Sequence, residues 1–269
     1  MTIAEKKQAI LAKQSYTAED LMTVVELLRA PGGCPWDMEQ THASIRNDLI
    51  EETYEVIEAI DKEDAALLRE ELGDVLLQVA MHAQMERELG HCTFDDIAGD
   101  VCRKMIHRHP HVFGEVQVEN SAEVLKNWES IKSEEKARVT VTDKLTAIPR
   151  QLPALMRAVK VGKKAKALDF PNADAVADKV AEELLEVREA MAVGDHAAIE
   201  EEIGDLLLSV ASLARFCGVD AERALNAATD KFITRFSAVE QVVLSRGMEM
   251  CDADAATLDE IWENLKKVD

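Results

Sequence analysis

Aromatic residues are scarce in this chain: three Trp, two Tyr and six Phe among 269 residues. Pro and Gly are few as well, at 6 and 11. That composition excludes the aromatic-rich pleated faces and frequent turns of a β-sandwich or barrel. Strict apolar–polar alternation is missing too. Short apolar runs such as Leu206-Leu207-Leu208 sit inside longer patterns of helical period. No apolar stretch approaches the roughly 20 residues that cross a bilayer. Met1 to Gln14 interleaves charged and apolar residues too finely for a secretory signal. The five cysteines (Cys34, Cys92, Cys102, Cys217, Cys251) are odd in number and form no Cys-x-x-Cys pair, which fits a reducing compartment. Positive charge is in deficit, with 31 Lys plus Arg against 52 Asp plus Glu and a formal net charge of −21. Such a field repels nucleic acid backbones and favours metal ions. The expectation is a soluble cytoplasmic protein with neither nucleic acid nor membrane as partner.

What is abundant is Ala, Leu, Glu and Lys, the composition of an all-α protein. Within it one acidic pattern occurs twice. Glu51-Glu52-Thr53-Tyr54-Glu55 precedes Glu71-Leu72-Gly73-Asp74, and Glu182-Glu183-Leu184-Leu185-Glu186 precedes Glu202-Ile203-Gly204-Asp205, every matched position 131 residues apart. Ala59 recurs as Ala190, Leu76 as Leu207 and Leu77 as Leu208. The chain reads as two tandem domains of similar build, a count its length allows.

If each pattern is a helical hairpin, the facing acids place the crossing points at residue 63 and at Gly194. Asp64 and Asp195 then stand where a carboxylate caps the next helix, and glycine at 194 suits the left-handed backbone that ends a helix. Acids three apart share one helical face. Glu52, Glu55, Glu71 and Asp74 should therefore converge in one half, and Glu183, Glu186, Glu202 and Asp205 in the other. Like charges so close repel unless a cation joins them. An all-oxygen ligand set suits magnesium, with manganese as a substitute, better than zinc. Ala59 and Ala190 leave room beside the metal, and Gly73 and Gly204 suggest close approach of backbone or ligand.

The remaining organisation follows from periodicity and breakers. Helices are expected near 18–29, 41–60, 64–89, 94–107 and 122–138, then near 152–167, 173–192, 196–217, 221–245 and 257–267. The Pro and Gly of 31–35 mark a loop. Domain boundaries are set at 1–16 for an N-terminal extension, 17–138 for the first domain, 139–149 for a linker and 150–269 for the second domain. Each half also carries cations at related spacing: Lys104 and Arg108, then Lys231 and Arg235, each pair four apart. Trp128 with Lys132, and Trp262 with Lys266, follow. Their recurrence makes them candidates for phosphate binding and base stacking. His107, His109 and His111 straddle Pro110, which favours a structural turn over a metal cluster.

The two acidic patterns, with Gly33-Cys34-Pro35-Trp36-Asp37, Glu39-Gln40-Thr41 and Arg108-His109-Pro110-His111-Val112-Phe113, resemble the MazG family from about residue 17 onward. The resemblance implies tandem all-helical domains, each a four-helix-bundle-type arrangement completed by dimerisation. It implies Mg2+-dependent hydrolysis of nucleoside triphosphates to monophosphate and pyrophosphate; stacking on Trp262, which any base can make, adds the expectation of broad base acceptance. By position, Lys179, Lys231, Arg235 and Lys266 would contact phosphates and Trp262 the nucleoside; a metal-bound water would need a carboxylate to deprotonate it, and Glu182 or Glu186 is expected to be that general base. Lys179 corresponds to Asp48 in the first half, so the second half is favoured as the active one. Against that, Leu168-Asp169-Phe170-Pro171 stands where a Phe-Asp-Trp sequence is anticipated.

Two other readings compete. A di-iron carboxylate protein would need Glu-x-x-His on two helices; Glu39-x-x-His42 and Glu88-x-x-His91 are present but lie outside the quartets. A non-enzymatic helical scaffold would carry its acids only as solvated surface.

Overall fold

The computed structural model describes residues 1–135 and 140–266. The expected ends of the helices at 138 and 267, the first residue of the linker at 139 and the C-terminal boundary at 269 lie outside the described residues. Among the described residues there are 14 α-helices, one short 3-10 turn and no strand. The protein is all-α. It divides into two compact units, Met1–Lys132 and Ser133–Asp269.

The first unit begins with α1 (Ile3–Leu11), closed at its start by a capping box between Thr2 and Glu5. Thr17 and Asp20 do the same for α2 (Ala18–Arg29). The stretch expected as an extension thus carries a helix, and its Lys6 holds Glu26 of α2 at 2.6 Å. The loop after α2 leads into a single turn, α3 (Pro35–Glu39), started by Pro35. Helix α4 covers Arg46–Asp61. It starts later than the apolar period suggests, because the Thr41 N–H donates to Ser44 Oγ (2.9 Å) and the Ser44 N–H to Thr41 Oγ1 (3.2 Å), local bonds that compete with the helical ladder. Then come α5 (Ala65–Glu88), α6 (Phe94–Arg108), α7 (Pro110–Phe113) and α8 (Ser121–Glu135). Pro110 ends one helix and begins the next, the structural turn anticipated for the three histidines. The core of this unit is small: Val25 of α2, Ile45, and Ala80, Met81 and Met85 of α5.

In the second unit α9 (Val141–Thr146) occupies most of the expected linker, capped by Thr140 and Asp143. It is followed by α10 (Ala154–Lys164), the 3-10 turn Lys166–Leu168, α11 (Ala173–Val193), α12 (His196–Phe216), α13 (Ala221–Ser245) and α14 (Ala255–Leu265). Its core cluster is Val239 and Val243 of α13 with Ile261 of α14. Helix α10 packs on α12 and α13. At the first of these contacts Gly162 lies so close to Arg215 that an added methyl group would stand 3.0 Å from Nε.

Both hairpins turn where the acid spacing places them. Between α4 and α5, Glu63 adopts φ 53° and Asp64 accepts from the N–H groups of Ala66 and Leu67 at 2.9 and 3.1 Å. Between α11 and α12, Gly194 adopts φ 76° and Asp195 accepts from Ala197 and Ala198 at 3.0 and 3.3 Å. Ala59 is fully buried and Ala190 nearly so. These small side chains let the paired helices approach.

Candidate active site

In the first unit, α4 contributes Glu52 and Glu55 while α5 contributes Glu71 and Asp74. Carboxylate oxygens of Glu52, Glu55 and Glu71 lie within 4.8 Å of one another. Asp74 belongs to the same electrostatic group, because its charge acts on both Glu52 and Glu71. The crowding has an electrostatic consequence. Glu52 is pushed up to about 7, first by burial, then by its hydrogen bond with Glu55 and the charges of Asp74, Glu55 and Glu71. Glu71 is raised for the same kinds of reason, burial first and then Glu55. Carboxyl groups that hold protons against one another form a site suited to a cation.

In the second unit, oxygens of Glu183, Glu202 and Asp205 lie within 4.8 Å of one another. Glu183 is 5% exposed, an unusual burial for a carboxylate unless it is paired. Its partner is Lys179, one turn earlier on α11, whose Nζ is 2.8 Å from both Glu183 and Glu182. Those two acids, Glu182 first, raise the pKa of Lys179. Glu186 is raised by burial and by its hydrogen bond to Glu183, with Lys179 acting in the opposite sense. Both clusters span a helical hairpin, yet the acids drawn together differ, Glu52, Glu55 and Glu71 in one and Glu183, Glu202 and Asp205 in the other, and so does the charge. The second has an internal cation where the first has Asp48.

Apart from the adjoining residues and the backbone of its own helix, no protein atom among the described residues comes within 4 Å of a methyl group added at Gly73 or Gly204. The close backbone approach anticipated there is not formed within either unit. Ala59 and Ala190 serve helix packing rather than open space, as their burial states.

The other site candidates lie elsewhere in each unit. Arg108 is buried, with its guanidinium 5.2 Å from the centre of the Trp128 ring, and His109 meets the same ring edge-on at 4.9 Å. His109 Nδ1 also lies 2.6 Å from the carbonyl oxygen of Met105. Lys104 is exposed, and Lys132 reaches Glu129 at 3.5 Å. In the second unit, Lys231 is exposed and Arg235 half-buried on α13. Trp262 packs on Phe232, ring centres 5.2 Å apart, and Lys266 holds Glu263 at 2.6 Å.

Two arrangements went unread in the sequence. Arg215 of α12 grips Asp169 through two bonds of 2.9 and 2.5 Å and lies over the Phe216 ring, which lowers the Asp169 pKa and ties the segment before α11 to α12. In the first unit, His42 Nδ1 and His82 Nδ1 are 2.7 Å apart, His42 Nε2 is 2.9 Å from Glu86, and His91 contacts the same carboxylate at 3.0 Å. The fragments considered for a di-iron site are engaged there: Glu88 pairs with Arg29 at 2.8 Å, and neither histidine joins the acid quartet.

The sequence model of the MazG nucleotide pyrophosphohydrolase domain matches twice, over residues 40–113 and 172–239, and each match contains one acid quartet. This chain belongs to the MazG family. Members similar to it over most of their length include the nucleoside triphosphate pyrophosphohydrolase of Escherichia coli K12, 48% identical over 252 residues, covering 92% of this chain and 96% of that protein. The Thermotoga maritima protein named nucleoside triphosphate pyrophosphohydrolase/pyrophosphatase MazG is 42% identical over 250 residues, covering 92% and 95%. A Mycobacterium tuberculosis nucleoside triphosphate pyrophosphohydrolase is 37% identical over 174 residues, covering 63% of this chain and 52% of its own length. The two MazG matches leave α1 to α3, α8 to α10 and α14 outside, so Trp128 and Lys132 as well as Trp262 and Lys266 lie beyond the matched segments.

Proposed function

We propose that this MazG chain hydrolyses nucleoside triphosphates, ribo- and deoxyribo-, to the monophosphate and pyrophosphate, with magnesium as its ion and manganese as a substitute. The observation that carries this reading is the pair of crowded oxygen clusters, each gathering three acids of a quartet across a helical hairpin. Their carboxyl groups fit a hard divalent cation: they are all oxygen donors, and in its absence Glu52 retains a proton up to about pH 7. Glu183, Glu186, Glu202 and Asp205 would hold the ion in the second unit, and Glu52, Glu55, Glu71 and Asp74 in the first. Such an ion, when bound, neutralises phosphate charge and lowers the pKa of a bound water.

The chain's own groups do the rest. Lys179 already stands 2.8 Å from Glu183 and is placed to pair with a phosphate oxygen. Lys231, Arg235 and Lys266 supply further cations, and Trp262 offers a ring on which any base can stack. Of the two candidates for general base, Glu186 suits the role better, because Glu182 is committed to Lys179. The second unit is the principal active one, because Asp48 in the first adds negative charge where Lys179 removes it. Lys104, Arg108, Trp128 and Lys132 are the corresponding substrate contacts of the first unit; there the Trp128 ring already carries Arg108.

We read the active form as a homodimer. Both hairpins expose apolar side chains, among them Leu72 and Leu207, each 52% exposed. A second copy would bury these surfaces and complete a four-helix arrangement on each hairpin. The deficit of positive charge supports a protein without nucleic acid partners, and the five free cysteines support a cytoplasmic setting. Among the described residues no helix is long and apolar enough to cross a membrane. The deciding assay incubates the chain with magnesium and a mixture of triphosphates and identifies products chromatographically. Monophosphate plus pyrophosphate, abolished by a chelator, is the expected result; diphosphate plus inorganic phosphate would overturn the reading.

A further inference from the structure

A groove of about 400 Å3 runs between α13 and α14. Its apolar lining includes Phe232, Phe236, Met250, Leu258 and Trp262, and among the described residues Asp259 is the one charged residue lining it. Phe232 and Phe236 are 56% and 45% exposed, with ring centres 6.3 Å apart, and Trp262 leans on the first of them. Large rings left this open are costly unless something flat covers them. Asp259 lies one turn before Trp262 on the same face of α14. Its carboxylate takes part in no hydrogen bond or ion pair among the described residues. The aromatic stripe 232/236 on α13 runs beside the cationic stripe 231/235, displaced by one residue. The helix that carries Phe232 and Phe236, α13, also carries the proposed phosphate contacts Lys231 and Arg235.

We infer that Asp259 is a specificity-determining residue, ranking the bases that enter this aromatic groove by the N–H donors on their edges. This inference rests on the nucleotide reading given above and adds a selector to it. Stacking accepts every base, since each has a π-face. A carboxylate is different, because it can only accept hydrogen bonds. Guanine offers it two adjacent donors, N1–H and the 2-amino group. Adenine and cytosine offer one amino donor beside a ring acceptor. Uracil and thymine present a single N–H between two carbonyl oxygens, which the carboxylate repels. Guanine nucleotides should therefore rank first and uracil and thymine nucleotides last, within a broad acceptance set by the rings.

The test measures kcat/KM of the full chain with magnesium for GTP, ATP, CTP and UTP, in the unaltered protein and in Asp259→Ala and Asp259→Asn. One charged hydrogen bond corresponds to roughly tenfold or more, so GTP should exceed UTP by at least about tenfold. Asp259→Ala should bring the four substrates to within about twofold of one another. Asp259→Asn, whose amide can donate to a carbonyl, should raise UTP relative to GTP. In parallel, calorimetric binding of the non-hydrolysable α,β-methylene analogues of GTP and UTP should give the same ratios. An unchanged ranking in Asp259→Ala, by turnover or by binding, overturns the inference. If no triphosphate is cleaved, the pyrophosphohydrolase reading fails, and the binding ratios still decide for or against Asp259.

Discussion

Glu63 and Gly194 occupy equivalent places in the two hairpins, 131 residues apart, and both take left-handed backbone, with φ of 53° and 76°. Only the second is a residue for which that conformation is free of steric cost. The first hairpin therefore stores strain that the second does not.

Exchanging the two residues should reveal it. Glu63→Gly should stabilise the protein by about 1 kcal/mol, and Gly194→Ala should destabilise it by about the same amount. Urea unfolding followed by circular dichroism measures both. Equal and small effects at the two positions would mean the turns relax independently of φ.

Loss of one acid should separate the two units. Glu186→Gln is expected to remove most pyrophosphate release, on the order of a hundredfold in kcat, as loss of a group acting as general base requires. Glu55→Gln should leave most of it. The opposite ranking would place the dominant chemistry beside Asp48 and make Lys179 irrelevant to it.

The crowding of the first quartet gives stability a sign with pH. Glu52 is raised from 4.5 to about 7 in the folded protein, so between those values the native state holds a proton that the unfolded chain has released. Its stabilising contribution is complete below about 4.5 and is lost as pH rises through about 7. Metal-free protein should thus show a melting temperature that falls from pH 5.5 to 8.5 more steeply than that of Glu52→Gln. Magnesium should stabilise the unaltered protein more than Glu52→Gln, which lacks one proposed ligand, and on binding to the unaltered protein it should release protons near pH 6, detectable by an indicator dye. A pair of parallel melting curves in the absence of metal would contradict the origin assigned to the shift.

Contacts with base and phosphate should separate kinetically. Trp262→Ala should raise KM for every triphosphate by a similar factor, corresponding to roughly 1 to 3 kcal/mol of stacking, with less effect on kcat. Lys231→Ala and Arg235→Ala should lower kcat instead, because charge on the phosphates redistributes during the reaction. A loss confined to one base in Trp262→Ala would show the ring reading identity, a role assigned here to Asp259.

Local features were legible in the sequence and long-range ones were not. The crossing points at residues 63 and 194, the caps Asp64 and Asp195 and the convergence of the acids all follow from helical spacing and turn chemistry, which act over a few residues. Lys179 entered through the family resemblance as a phosphate contact and the repeat set it against Asp48, while its ion pair with Glu183 came only with the structure. Phe232 and Phe236 have the same spacing as Lys231 and Arg235, yet the cations drew the reading and the aromatic stripe one residue over did not. Asp169 and Arg215 are 46 residues apart, and only the packing of the helices brings them together. The same is true of His42 and His82, 40 residues apart, which appear in the sequence as disconnected fragments. Helix α4 began late because Thr41 and Ser44 bond each other's backbone, a competition that hydrophobic periodicity does not register.

The narrow gap at Gly162 has a consequence for how the sequence can change. A side chain at 162 would push on the guanidinium of Arg215, which in turn holds Asp169, so three positions spread over 54 residues behave as one inherited unit. Replacing the glycine alone should cost stability, and doing so after Arg215 has been shortened should cost much less. Substitutions at these sites are therefore non-additive, and a lineage that lost the ion pair first would be free to fill the gap later, while one that kept it would not.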